Sequence, residues 1–167
     1  MFFVFEPTTL TIFIQLGLAA LFGLLLGAER SIAGKSAGMR TFALVSLGSC
    51  LFVIISLLVT TQYFGKVNFD PMRVPAAIIT GVGFIGAGLI MFRQNFVRGL
   101  TTAAGMWVAS GVGAAIGFGL YSIAAFTTLL TLLIFTAVWF VEAHLKVRFG
   151  HHNVEPIVRR RREYDDE

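Results

Sequence analysis

The chain has 167 residues, of which 56% are hydrophobic and only 13% are charged, with a formal net charge of +4. In soluble domains roughly a quarter of the residues are charged. Four windows of this chain contain no charged residue: residues 7–28, 41–65, 74–92 and 99–141. A soluble fold of this size cannot bury four such stretches, whereas a bilayer core needs about 20 apolar residues per helix. The composition therefore excludes the soluble classes and predicts an integral membrane protein.

The first window is predicted to be a retained span, because no basic residue precedes it and it exceeds the roughly 7–15 apolar residues of a signal-peptide core. All four windows are continuously apolar, which is typical of helices and not of a membrane β-barrel. The fourth window has 43 residues and would form a helix of about 65 Å. It must therefore turn back, and the two glycines within residues 117–122 mark the place.

The predicted fold is all-α, with a transmembrane domain over residues 1–142 and a charged cytoplasmic tail over residues 143–167. We expect five spans, at about residues 9–28, 41–61, 74–92, 101–117 and 121–142. The loops at 29–40 and 93–98, together with the tail, carry eleven of the thirteen Lys and Arg residues. The positive-inside rule then predicts an N-terminus outside the cell and a C-terminus in the cytoplasm. Solvation against anionic lipid is the preferred interpretation of the tail, and a docking peptide or the stub of a soluble domain is the alternative.

Small residues recur at helical spacing in the third and fourth predicted spans. In lipid such residues let helix backbones approach closely, so we predict helix packing at Gly81, Gly83, Gly86, Gly88, Gly105, Ala109 and Gly113. Two small faces on the fourth span predict that it is central. The third span also matches G-x-G-x-x-G, but no strand–helix unit exists there to bind a dinucleotide. The alternative for that span is a broken helix that lines a transport site.

Two polar groups of residues are predicted at the membrane faces. On the outer face, Asp70 is predicted to cap the third helix, with Pro71 at the first helical position. Arg73 lies beside this cap, and capping does not explain why an arginine stands there. On the inner face we predict a functional cluster of Glu29, Arg30, Arg40, Arg98, Thr101 and Thr102. Glu29 is expected to pair with Arg40 or Arg98, leaving one arginine free for an anionic head group or partner. Separate snorkelling of each arginine is the alternative.

None of the four uncharged windows contains an ionisable Asp, Glu, Lys, Arg or His, so no proton relay is predicted at mid-membrane. The single cysteine, Cys50, is expected to be a small packing residue. We expect no enzyme activity, no catalytic residues, no metal, no cofactor and no nucleic-acid partner. Anionic lipid, a second copy of the chain and another membrane complex are the partners left open.

Three sets of strings together resemble the MgtC/SapB family of bacterial membrane proteins. They are Gly27-Ala28-Glu29-Arg30 followed by Gly38-Met39-Arg40-Thr41; Asp70-Pro71 with Arg73 and the glycines of the third span; and Val97-Arg98-Gly99-Leu100-Thr101-Thr102 with Trp107. The resemblance implies five spans in the bacterial inner membrane, a link to magnesium limitation and virulence, and modulation of a membrane ATPase. It covers about residues 15–118 of the transmembrane domain, and we expect no cytoplasmic ACT-like domain after that domain.

The preferred functional hypothesis is a non-enzymatic membrane regulator or adaptor that acts by helix packing. A transport or channel subunit that uses the glycine-rich third span is the alternative.

Overall fold

The computed structural model describes residues 8–63, 70, 72–93 and 96–149, and these residues form five helices. The helices are α1 (Thr9–Ile32), α2 (Met39–Gln62), α3 (Arg73–Leu89), α4 (Leu100–Gly117) and α5 (Tyr121–Phe149). Three of them, α1, α2 and α4, are long and apolar enough to cross a membrane, while α3 and the Tyr121–Ala137 part of α5 are shorter apolar helices. The helices confirm the predicted all-α membrane class.

The third helix ends earlier than predicted. It stops at Leu89, and the chain then forms a small antiparallel hairpin of β1 (Met91–Arg93) and β2 (Phe96–Arg98), in which Met91 lies opposite Arg98. The expectation of a span to residue 92 is therefore wrong, because the hairpin returns the chain to the end of α3. The last helix continues to Phe149, past the predicted boundary at residue 142. Residues 150–167, most of the predicted tail, lie outside the described residues.

The turn predicted within residues 117–122 is present between α4 and α5. Gly119 has φ +75°, a conformation that L side chains rarely adopt. Its N–H donates to the carbonyl of Ile116 (2.9 Å), and the N–H of Leu120 donates to the carbonyl of Ala115 (2.8 Å). This pair of bonds satisfies the last carbonyls of α4 in a Schellman motif. Gly34, with φ +65°, follows the end of α1.

The fourth helix is the centre of the bundle, because it packs against all four other helices. A Cβ built on Gly113 would lie 1.9 Å from the backbone oxygen of Ser46 in α2, and one on Gly117 would lie 2.9 Å from that of Cys50. The backbones of α2 and α4 are therefore in direct contact. Gly23 of α1 approaches the backbone of α2 equally closely, with 2.6 Å from its built Cβ to the oxygen of Phe42. Glycines thus join α1, α2 and α4 into one tightly packed unit.

The core between these helices is filled with apolar side chains in two layers. The layer at one end of the bundle includes Leu26, Phe42 and Met106, and the other includes Cys50 and Ile116. Cys50 is fully buried, as expected of a packing residue. Gln15 makes polar contacts across the core, since its amide nitrogen donates to the carbonyls of Ile116 (3.0 Å) and Gly117 (3.5 Å).

Candidate functional site at the hairpin end of the bundle

Five segments meet at one end of the bundle: the end of α1, the start of α2, the end of α3, the hairpin and the start of α4. We name this the hairpin end. All six residues of the predicted inner-face cluster lie on these segments, but they differ in burial. Arg30 and Thr102 are buried at 3% and 2% exposure, Glu29 is partly buried, and the other three are exposed: Arg40, Arg98 and Thr101.

Arg30 is the buried charge of this cluster. It follows Leu26 by four residues, so it lies on the same buried face of α1, and it sits at the C-terminal end of that helix, where a positive charge is favoured. A buried charge needs partners, and Arg30 has two. Its guanidinium pairs with the carboxylate of Glu29 and stacks on the ring of Phe135 in α5, 3.6 Å from the ring centroid.

The pairing of Glu29 differs from the sequence prediction. We expected Arg40 or Arg98 as its partner, but the carboxylate contacts the adjacent Arg30, so that prediction is wrong. The physical reason is the direction of the side chains. Arg30 turns into the bundle beside Glu29, whereas Arg40 and Arg98 are exposed to the surroundings.

Phe135 was missed by the sequence analysis. The chain contains 17 phenylalanines, and nothing in the spacing of this one marks it as a partner for a guanidinium. Its ring also occupies the space beside Gly105, because a Cβ built there would lie 2.6 Å from the ring atom Cζ. The small residue on α4 therefore makes room for the aromatic ring that covers Arg30.

The charged residues of the predicted cluster at the hairpin end thus form two groups that differ in exposure. The Glu29–Arg30 pair is neutral overall and largely withdrawn from the surface, while Arg40 and Arg98 remain exposed cations. Exposed guanidinium groups at a membrane face suit anions, since their fork geometry matches phosphate and carboxylate oxygens. Among the described residues, no three His, Cys, Asp or Glu side chains lie close enough together to hold a metal ion.

At the opposite end of the bundle, Asp70 caps the turn before α3 instead of the helix itself. Its carboxylate accepts a hydrogen bond from the N–H of Met72 (2.9 Å), and its carbonyl accepts one from the N–H of Arg73 (3.2 Å). The helix begins at Arg73, three residues after Asp70, so the predicted register of the cap is wrong. Arg73 is exposed at this end.

The glycines of α3 do not share one environment. Gly86 contacts α4, with 3.6 Å from its built Cβ to the Cβ of Ala103, but Cβ atoms on Gly81, Gly83 and Gly88 meet nothing within 4 Å. Tight packing at those three positions is therefore not found within the described chain. The alternative of a break is also wrong, because α3 is continuous from Arg73 to Leu89. By contrast, Gly105, Ala109 and Gly113 of α4 are all buried.

Comparison with known proteins places this architecture among bacterial membrane proteins. The model of the MgtC family matches residues 16–144. The chain is 43% identical over 123 residues to the Escherichia coli K12 protein named "Putative magnesium transporter YhiD", covering 72% of this chain and 57% of the relative. It is 41% identical over 126 residues to Protein SapB of Bacillus subtilis, covering 74% and 54%.

A third relative is Protein MgtC of Salmonella typhimurium, which is 40% identical over 114 residues, covering 68% of this chain and 46% of the relative. The chain thus spans about half the length of these curated relatives. No solved structure matches it significantly.

Proposed function

This chain belongs to the MgtC family and is a multi-pass bacterial membrane protein, and from that premise we propose that it is a non-enzymatic regulator or adaptor. It acts by packing against another membrane protein, which is a second copy of the chain or a separate complex such as a membrane ATPase. The hairpin end, with its exposed Arg40 and Arg98, faces the cytoplasm and its anionic lipids, as the positive-inside rule favours.

The observation that carries this proposal is the outward face of α3. Ala76, Thr80, Gly83 and Ala87 follow one another at spacings of four, three and four residues, so they share one face of the helix, and all four are exposed. A Cβ on Gly83 would meet no atom within 4 Å. In lipid, small faces of this kind favour association with another helix. Several small residues of α1 and α4, by contrast, pack against other helices of the same chain.

A specific observation also favours transport as a second candidate, because the relative from Escherichia coli is named for magnesium transport. The alternative no longer draws support from a break in α3, since that helix is continuous. Glycines also bring the backbone of α2 into direct contact with those of α1 and α4, which favours a packed bundle over a pore between these helices. We therefore prefer the regulator hypothesis.

Photo-crosslinking in native membranes tests the docking face. A photoreactive residue replaces Phe84, which is 84% exposed beside Gly83, and we expect it to form an adduct with a membrane protein. Gly83→Leu should abolish the adduct by blocking close approach. Gly17→Leu is the matched control, because Gly17 also lies mid-helix on α1 with nothing within 4 Å of its built Cβ. Adducts that are equally abundant in both variants would contradict the proposal.

Transport is separated from regulation by a flux assay. The purified protein is reconstituted into liposomes, and entry of magnesium or other small ions is followed by a fluorescent reporter. We expect no protein-dependent flux. Selective flux that Gly83→Leu abolishes would overturn the regulator hypothesis in favour of the transport subunit.

A further inference from the structure

A long groove runs along the outside of the bundle between α2 and α3. Its volume is about 980 Å³, with Met106 of α4 among its lining residues. It extends along α2 from Arg40 and Thr41 at the hairpin end to Val59 near the other end. At about 1.5 Å per residue this length is about 28 Å, close to the thickness of the hydrocarbon core. The groove therefore matches the thickness of the hydrocarbon core in length.

The walls of this groove are mostly apolar side chains, with one glycine on each side. Leu44 and Ile55 on α2 face Ile85 on α3, and glycines line both sides. Built Cβ atoms on Gly48 and Gly81 meet nothing within 4 Å. The backbones of α2 and α3 therefore do not approach each other closely at these two glycines, although glycines would allow them to. Apolar atoms that line an empty gap lose dispersion contacts on that side. A flexible hydrocarbon chain in the groove would supply those contacts.

Among the described residues one charged side chain lines the groove, and it lies at the mouth. Arg40 is exposed in the first turn of α2, at whose start the Ser31 hydroxyl accepts a hydrogen bond from the N–H of Met39 (3.2 Å). The positive end of the helix dipole therefore adds to the guanidinium charge. Among the described residues the acidic neighbour at this end, Glu29, is paired with Arg30. Arg40 thus presents a cation to the head-group layer.

We propose that this groove binds an anionic glycerophospholipid, with an acyl chain between α2 and α3 and the phosphate on Arg40. The charge pattern matches this amphiphile, because one cation at the mouth is followed by an apolar wall. Guanidinium binds phosphate through two charge-assisted hydrogen bonds.

The site is independent of the proposed docking face. Gly81 lines the groove, while Gly83 is two residues further along α3, about 200° around the helix, and does not line it. A lipid in the groove and a partner helix on the outward face therefore occupy opposite sides of α3. Failure of one proposal leaves the other intact.

Native mass spectrometry of the full chain in mild detergent tests the site. The probes are phosphatidylglycerol and phosphatidylcholine with identical palmitoyl and oleoyl chains, added at equal concentration. We expect one phosphatidylglycerol to be retained per chain, about tenfold more than phosphatidylcholine, which corresponds to about 1.4 kcal/mol. Arg40→Gln should remove this preference, while Arg98→Gln, which alters an exposed cation at the same end outside the groove, should preserve it.

A second pair of variants tests the apolar part of the groove independently of the charge. Gly81→Leu fills the groove and should lower retention of both lipids, whereas Gly83→Leu adds the same side chain outside it and should not. Gly81 has open space around it, so the substitution needs no movement of the backbone. Equal effects of Arg40→Gln and Arg98→Gln, or unchanged retention in Gly81→Leu, would overturn the proposal. Dimers that Gly81→Leu dissociates would also overturn it, by assigning the groove to a second copy.

Discussion

Replacement of one glycine of α4 by alanine is expected to destabilise the bundle, while the same replacement two residues away is not. In Gly113→Ala the new Cβ would lie 1.9 Å from the backbone oxygen of Ser46, where real contacts are essentially never under 3.0 Å. The obstruction is backbone and cannot rotate away, so α2 and α4 must separate by about 1 Å. In Gly111→Ala the new Cβ meets nothing within 4 Å.

The magnitude follows from two opposing effects. Overpacking of a core costs about 1–3 kcal/mol, and the rigid obstacle at Gly113 favours the upper part of that range. The higher helix propensity of alanine offsets about 1 kcal/mol, which leaves a net loss of about 2 kcal/mol. For a chain of this size the loss lowers the Tm by about 4–8 °C. Gly111→Ala gains the propensity without the clash, so its Tm should equal or exceed that of the wild type.

The assay is thermal unfolding of both variants in the same detergent, followed by intrinsic fluorescence and by size-exclusion chromatography after heating. The two variants differ by two positions and carry the same added methyl group, so effects of expression and detergent cancel in the comparison. A Gly113→Ala protein with a Tm at or above the wild-type value would refute the close contact between α2 and α4. It would also remove the argument that α4 is central.

Three further outcomes are expected. Phe135→Leu removes the ring over Arg30 and should cost about 2 kcal/mol or more of stability, as a desolvated cation–π contact does; Phe126→Leu, on the exposed side of α5, should cost less than half as much in the same melt. Gln15→Leu loses the hydrogen bonds from the amide nitrogen to the carbonyls of Ile116 and Gly117, but it also removes a buried amide oxygen that has no partner among the described residues. Its stability should therefore stay within about 1 kcal/mol of wild type, and a loss above about 3 kcal/mol would mean that the oxygen is satisfied by a group we have not identified. A cysteine introduced at Ser36, in an otherwise cysteine-free protein, should be labelled by an impermeant maleimide only after the cells are opened; labelling of intact cells would reverse the proposed orientation.

The presence of the helices was predictable because it depends on local chemistry, although the ends of α3 and α5 were not. Lipid leaves backbone groups no partner except each other, so uncharged windows of sufficient length become helices. The turn at Gly119 was also visible in the sequence, since a positive φ after a helix selects glycine. The burial of Gly113 followed from its place in a row of small residues on a helix that needs two neighbours.

The hairpin and the ion pair were not predictable from spacing. Residues 89–92 are apolar and continue the helical window, so only the return of β2 to the end of α3 shows that the helix stops. At Gly99, φ is +92° and a Cβ would lie 2.0 Å from the carbonyl oxygen of Leu89, because the hairpin brings the start of α4 back to the end of α3. The aromatic ring that stacks on Arg30 likewise belongs to Phe135 of α5, 105 residues later in the sequence. Periodicity reports which face of a helix is buried, but not which neighbour covers it.

The difference between α3 and the other helices connects the two proposals. Glycines bring α1, α2 and α4 into backbone contact, so these three helices cannot shift relative to one another without losing the core. The helix α3 is held close to the start of α4 at Leu89, but further along, at Gly86, a built Cβ would lie at an ordinary distance of 3.6 Å from the Cβ of Ala103. On its other side, α3 borders the groove that it shares with α2. With 17 residues it is about 25 Å long, shorter than the hydrocarbon core, so its position responds to the surrounding lipid. A lipid that fills the groove would fix the position of α3, and the outward face that we assign to a partner would be fixed with it. Phosphatidylglycerol should therefore raise the yield of the Phe84 crosslink in wild-type protein and leave it unchanged in Arg40→Gln.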